Sequence, residues 1–260
     1  MSVRFASLGS GSEGNALVVE ASSGTTTTRV LLDCGFSAKE VDRRLGRLNL
    51  GIDDLDAILV THEHSDHVGS ALTLARRASL PLYMSWGTAR AVGADDADVD
   101  LHVLWGDETV AICDLAVMPY TVPHDAREPL QFVFMDGCRR LGVLTDVGMA
   151  TPHITSVLSG CHALVLESNH DTAMLATSRY PQSLKARIGG SHGHLSNDAA
   201  AGILASLERS RLQHLVAAHL SQQNNLPELA RQAFAGVLGT SGDDVVVATQ
   251  DTGFGWLALA

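Results

Sequence analysis

Residues 62 to 67 read His62-Glu63-His64-Ser65-Asp66-His67 and follow directly on the apolar, strand-like run Ala57-Ile58-Leu59-Val60-Thr61. This cluster constrains the chain more than any other feature, because it sets four metal-ligating side chains within six positions behind a buried strand. On a strand or a tight turn, alternate side chains leave on opposite sides, so the four do not easily reach one ion. The residues read most simply as two ions side by side, with His62 and His64 on the first and Asp66 and His67 on the second. Paired ions roughly 3.5–4 Å apart form the clamp that holds the attacking and leaving oxygens of a hydrolysed ester.

A solvated turn or a single structural zinc ion is the alternative. Structural zinc sites are closed four-ligand sets rich in cysteine. Here Cys34, Cys113, Cys138 and Cys161 are scattered without a Cys-x-x-Cys pair and read as ordinary small core residues. Imidazole with carboxylate is the mixture that leaves a metal open to water, which favours a catalytic pair.

With 260 residues, 45% of them hydrophobic, the chain can bury one large core, and a single domain over residues 1–260 is expected. No run of 18 apolar residues occurs, and Met1-Ser2-Val3-Arg4-Phe5 has none of the marks of a signal peptide. The expected location is therefore cytoplasmic, away from membranes. A net charge of −11, with only Lys39 and Lys185 as lysines, argues against strong nonspecific binding of nucleic acid through a basic surface. Two divalent ions would invert the local field, so an anionic substrate stays open at the site itself.

Strand signals alternate with turns and helices along the first third. Arg4–Leu8, Ala16–Glu20 and Arg29–Asp33 read as strands, and Gly9 to Asn15 reads as a plain hairpin turn. Ser37-Ala38-Lys39-Glu40 is a capping-box pattern opening a helix with Val41, Leu45 and Leu48 on one face. A helix over Val68–Ala78 is expected just behind the histidine cluster. Strands follow at Leu101–Leu104, Leu115–Thr121, Gln131–Met135, Leu141–Thr145 and Ala163–Glu167, with a helix near Pro152–Leu158. The last third has a helix from Ser196 or Asn197 to about Leu207, a strand at Leu215–Ala218, a helix opened by Asn225-Leu226-Pro227, and strands at Val245–Ala248 and Gly255–Leu259. Two stretches of strands, each followed by helices, suggest an α/β fold of two sheets face to face with helices outside.

A two-ion centre needs more than four ligands, and further candidates stand at strand ends: His124 after Leu115–Thr121, Asp146 after Leu141–Thr145, and His219 after Leu215–Ala218. Each is weak alone; their joint order carries the weight. Asp33 ends another apolar strand, where it either caps the turn or holds a ligand histidine in one tautomer. His194, in Gly190-Ser191-His192-Gly193-His194, is the candidate for protonating a leaving oxygen, since glycines permit close approach and imidazole titrates near neutrality. His170 could line the pocket or face solvent at a helix start.

His62-x-His64-x-Asp66-His67, followed in order by His124, Asp146 and His219 and preceded by Asp33, resembles the metallo-β-lactamase superfamily of hydrolases. The resemblance covers nearly the whole chain. It implies a four-layer αββα sandwich, with His62, His64 and His124 on one divalent ion, Asp66, His67 and His219 on the other, and Asp146 bridging. Zinc is the expected metal, with manganese or iron as alternatives. The nucleophile implied is a hydroxide between the ions, which Asp66 would also orient.

Zinc β-lactamases generally lack the bridging Asp, and flavodiiron proteins carry Glu where His64 stands. The interval of 219 − 146 = 73 residues is too short for a β-CASP insertion, and the 260 − 219 = 41 residues after His219 are too few for the helical domain of glyoxalase II-like thioesterases. Ser7 to Asn15, Glu167-Ser168-Asn169-His170-Asp171, Gly193-His194-Leu195-Ser196-Asn197 and Ala218-His219-Leu220-Ser221 are similar to the YycJ/WalJ-like branch. That likeness implies a 5′-to-3′ exonuclease acting on a DNA end. A thioesterase or lactonase, or a noncatalytic metal-binding protein, are the competing expectations.

Overall fold

The computed structural model describes residues 2–260. The first half of the chain contains β1 (Ser2–Gly9), β2 (Ala16–Ser23), β3 (Thr26–Leu32), α1 (Ala38–Leu45), β4 (Ala57–Leu59), α2 (Ser65–Val68), α3 (Ala71–Ala78), β5 (Leu82–Ser85), α4 (Trp86–Val92) and β6 (Leu101–Leu104). It continues with β7 (Val110–Ile112), β8 (Leu115–Thr121), β9 (Leu130–Met135), β10 (Arg140–Leu144), α5 (Pro152–Leu158) and β11 (Ala163–Glu167). The remainder holds α6 (Thr172–Thr177), α7 (Gln182–Ile188), α8 (Asn197–Ser206), β12 (His214–Ala218), α9 (Pro227–Leu238), β13 (Val245–Val247) and β14 (Phe254–Leu259).

Two seven-stranded sheets result, ordered β14-β1-β2-β3-β4-β5-β6 and β13-β12-β11-β10-β9-β8-β7. Each is half antiparallel and half parallel: β3 to β6 run parallel in the first sheet and β10 to β13 in the second. Strand alternation shows why four layers form. In β4, Ala57 and Leu59 join the cluster shared by both sheets, which includes Phe5, Val19, Phe132, Phe134 and Val165; Ile58 turns to the opposite face. That outer face packs beneath Val41, Leu45, Leu74 and Ala89 of the first helical layer. β11 repeats the pattern, with Ala163 and Val165 inward and Leu164 and Leu166 against Ile154, Ile203 and Phe234 of the second helical layer. The architecture is the αββα sandwich the sequence resemblance implies.

Several local expectations change. The helix expected over Val68–Ala78 is broken in two, with Asp66 and His67 inside a four-residue turn of helix. Gly69 sits at φ 30°, and a Cβ there would overlap the Cys34 carbonyl, so the chain bends where it presses on the loop after β3. Only half of the capping box forms: Ser37 accepts from the Glu40 amide, while the Glu40 carboxylate turns to Arg43 and Arg44. Cys34 and Cys161 are buried, but Cys113 and Cys138 are exposed and are not core residues. β5, α4, β7 and α7 are too short or too polar to have announced themselves. Among the described residues no helix is long and apolar enough to cross a membrane.

Candidate metal centre

Parallel pairing aligns the carboxyl ends of β3 and β4 in one sheet and of β10, β11 and β12 in the other, and the candidate residues sit at those ends. Asp33 follows β3, the 62–67 segment follows β4, and Asp146, Glu167 and His219 close β10, β11 and β12. β8 is antiparallel to β9, which is antiparallel to β10, so His124 emerges at the same edge. Asp33, Asp146 and His219 all adopt left-handed backbone, with φ of 61°, 54° and 55°. For residues other than glycine this costs roughly 1–3 kcal/mol each, and it turns each side chain sharply off its strand into the cleft.

All seven residues marked as candidate ligands converge. His64 Nδ1 lies 3.0 Å from His62 Nε2 and 3.3 Å from His124 Nε2. Tetrahedral ligation at about 2.0–2.1 Å would set ligand nitrogens about 3.3–3.4 Å apart, so the three rings already stand at chelating distance. Asp66, His67 and His219 form a second group, with Asp66 Oδ2 3.6 Å from His67 Nε2 and 3.5 Å from His219 Nε2. Asp146 lies between the groups. Its carboxylate stands with His62 and His67 on one side and with Glu167, His194 and His219 on the other.

Four of the five imidazoles have the second nitrogen tied, which fixes the nitrogen left for the centre; His64 Nε2 comes no nearer to a carboxylate than 3.9 Å, at Asp125. His67 Nδ1 donates to Asp33 Oδ2 at 2.8 Å, His219 Nδ1 to Glu167 Oε1 at 3.1 Å, and His124 Nδ1 to the Gly193 carbonyl at 3.1 Å. His62 Nδ1 donates to Thr61 Oγ1 at 2.9 Å, and that hydroxyl donates in turn to Asp33 Oδ1 at 3.0 Å. Asp33 therefore orients two imidazoles, one directly and one through Thr61. His67 Nε2 faces Asp146 Oδ2 across 2.7 Å. Asp146 Oδ2 and His219 Nε2 are buried and have no hydrogen-bond partner among the described residues. Converging lone pairs of this kind require a cation between them, and the set fits two divalent ions.

The electrostatics agree. Burial would raise the Asp146 carboxyl, but His219 and His67 hold it well below the usual carboxylate range. Burial opposes a charge on His67, yet Asp146 and Asp33 hold it well above its ordinary value, and against the same penalty Asp146, Asp66 and Glu167 bring His219 up to about 10. A proton thus serves as the cation of this half when no metal does. His62 and His124 move the other way, pulled down chiefly by burial, so their ring nitrogens stay neutral and ready to ligate.

Several contributors escaped the sequence reading. Glu167, fully buried, accepts from His194 Nδ1 at 2.8 Å, His219 Nδ1, and the amides of Val147 and Leu195. It had been visible only as part of a motif, with no role. The Gly9 to Asn15 turn does more than link two strands: Asn15 Nδ2 reaches 3.1 Å from His67 Nε2, and Ser10 Oγ accepts from the His219 amide. Gly35 is required for this loop packing, since a Cβ would collide with the Asp66 carbonyl. His170 is buried, at 3% exposure, and is no solvent-facing helix start. A cavity of about 280 Å³ opens on the cluster, bordered by Ser12, Asp66, Asp125, Arg187 and His194.

Replacing Asp33 by Asn keeps a residue that tolerates left-handed backbone and removes the carboxylate. Metal affinity in a chelator competition is expected to fall about 10–100-fold; wild-type affinity would dismiss the orienting role of Asp33.

A model of the β-lactamase superfamily domain matches residues 28–219. The chain belongs to the metallo-β-lactamase superfamily. It is 38% identical over 246 residues to exodeoxyribonuclease YycJ of Bacillus anthracis, covering 93% of this chain and 91% of that one. To exodeoxyribonuclease WalJ of Streptococcus pneumoniae serotype 2 (strain D39 / NCTC 7466) it is 32% identical over 241 residues, 90% and 88% of the two chains. The crystal structure of the metallo-β-lactamase fold protein YhfI of Bacillus subtilis superposes with a TM-score of 0.75 at 15% identity, over 99% of this chain and 100% of that one, a likeness of fold.

Proposed function

We propose that this protein is a dinuclear metal-dependent phosphodiesterase that removes nucleotides from a DNA end. The observation that carries the reading is the complete donor set around Asp146, with four of its five imidazoles tied at one nitrogen and the other turned inward. The names of the YycJ and WalJ relatives, at 38% and 32% identity, support DNA as the substrate. In this reading His62, His64 and His124 would hold one ion and Asp66, His67 and His219 the other, with Asp146 standing between the two groups. Zinc suits the donors, as do manganese and iron. Two such ions supply an activated water and neutralise charge on the phosphoryl oxygens.

The chain's own groups do the rest. Asp66, which also borders the cavity, orients the attacking water through its carboxylate. His194 carries the proton for the leaving oxygen. Glu167 holds its Nδ1, and against the burial penalty this carboxylate raises the imidazole above its ordinary pKa, which favours the charged form that can give a proton from Nε2. Glu167 itself stays ionised: burial would raise it, but His194 and His219 bring it down to about 2.

The metal-loaded protein is to be assayed in parallel on bis-para-nitrophenyl phosphate, 5′-phosphorylated single-stranded DNA and a glutathione thioester. Hydrolysis of both phosphodiesters with a negligible rate on the thioester is expected. A preference for the thioester would replace this reading with carbonyl chemistry at the same ions.

A further inference from the structure

His194 has two neighbours: the metal cluster, and a second cavity of about 430 Å³ walled by α6, α7 and the first turn of α8. His194 lines both cavities. They differ in charge. The metal cavity is bordered by Asp66, Asp125 and Asp146, whereas no Asp or Glu among the described residues lines the second, in a chain of net charge −11.

Hydrogen-bond donors take their place. His170 is 3% exposed and lines the cavity, and its ring has no hydrogen-bond partner among the described residues. Nδ1 is sealed from solvent without a partner, which leaves Nε2 as the nitrogen free to give a hydrogen bond to a ligand in the cavity. Burial, the largest influence on His170, lowers its pKa and keeps it neutral. A buried imidazole with both nitrogens unmatched is costly unless something else meets it.

Ser196, the N-cap of α8, accepts from the Ala199 amide and has its own O–H left to give. α8 is ten residues long, and its amino end brings partial positive charge to the wall. Lys185, one of only two lysines, rests its ammonium on the Ala176 carbonyl at 2.7 Å at the rim, with further N–H bonds to offer.

We propose that this cavity is a phosphate subsite, in which His170 Nε2, the Ser196 hydroxyl, the Lys185 ammonium and the amino end of α8 hold a second phosphate of the substrate strand. The scissile phosphate then lies at the metal cluster, with His194 between the two. Holding the neighbouring phosphate places the leaving oxygen against His194, so the subsite sets register on the strand. The inference rests on the nuclease reading above. The phosphate has two sources: a terminal phosphomonoester, or the phosphodiester next to the scissile link.

Single-stranded oligonucleotides of one sequence separate them: one with a terminal phosphate on the degraded end, one with a hydroxyl there, and one phosphorylated but carrying a neutral methylphosphonate beside the scissile link. For the wild type, one of the two replacements is expected to lower kcat/KM about tenfold or more, mainly through KM. In Lys185→Gln and His170→Phe that loss should shrink to about twofold or less. Lys185 stands at the rim and its ammonium touches only a carbonyl, so its variant keeps the test valid should His170→Phe fold poorly. A loss on removing the terminal phosphate assigns the subsite to the strand end, and a loss with the methylphosphonate assigns it to the internal link. Equal kcat/KM on all three substrates, or an undiminished loss in Lys185→Gln, overturns the subsite. A wild type inactive on every oligonucleotide and on bis-para-nitrophenyl phosphate removes the nuclease reading, and this inference with it.

Discussion

Asp146→Asn is expected to fold normally, to lose stoichiometric metal and to hydrolyse phosphodiesters on the order of 10³-fold more slowly. Asparagine accepts the left-handed backbone at φ 54°, so the strand-end turn survives and only the charge is lost. That charge is the one that His67 and His219 both face, at 2.7 Å from Oδ2 and 3.4 Å from Oδ1. Without it, two imidazoles that the carboxylate had kept protonated, or bound to metal, face an amide that offers them no negative partner. Elemental analysis and steady-state hydrolysis of bis-para-nitrophenyl phosphate check the result together. Two ions per chain and wild-type turnover in this variant would sink the bridging role.

His194→Ala separates proton donation from metal binding by choice of leaving group. An alkoxide leaving a DNA strand needs a proton, whereas nitrophenolate departs unaided. Cleavage of DNA is therefore expected to fall about 10²–10⁴-fold, while the rate on bis-para-nitrophenyl phosphate stays within about tenfold of wild type. Glu167→Gln should show the same split in milder form, joined by weaker metal binding, because Glu167 also holds His219. Equal losses on both substrates would assign His194 to positioning and not to proton transfer. The two experiments thus read different things: the first asks whether the charge at the centre holds ions, the second whether the wall beside it delivers a proton.

Much of the site was legible in the chain because ligand chemistry is local. The 62–67 segment names itself, and His124, Asp146 and His219 each follow an apolar run that could only be a strand. The helix behind the cluster was misread for a physical reason. Periodicity from Val68 to Ala78 is helical throughout, but the break at Gly69 exists because the backbone must clear the Cys34 carbonyl, a contact thirty-five positions away in sequence. Glu167 was passed over for a related reason. A carboxylate at a strand end carries no mark of the two imidazoles it will meet, and both lie more than twenty-five positions downstream.

From the sequence alone came the residue types, their order and the alternation that sends one face of every strand inward. These determined the two sheets, the helical outer layers and the candidate metal-binding groups, because each depends on side chains within a few positions of one another. The tertiary structure alone decided which nitrogen of each imidazole faces the centre, that Asp33 and Glu167 do the turning, and that a donor-lined cavity lies behind His194. Tautomer and charge state are set by partners that parallel pairing brings alongside from distant strands. No reading along the chain measures those distances.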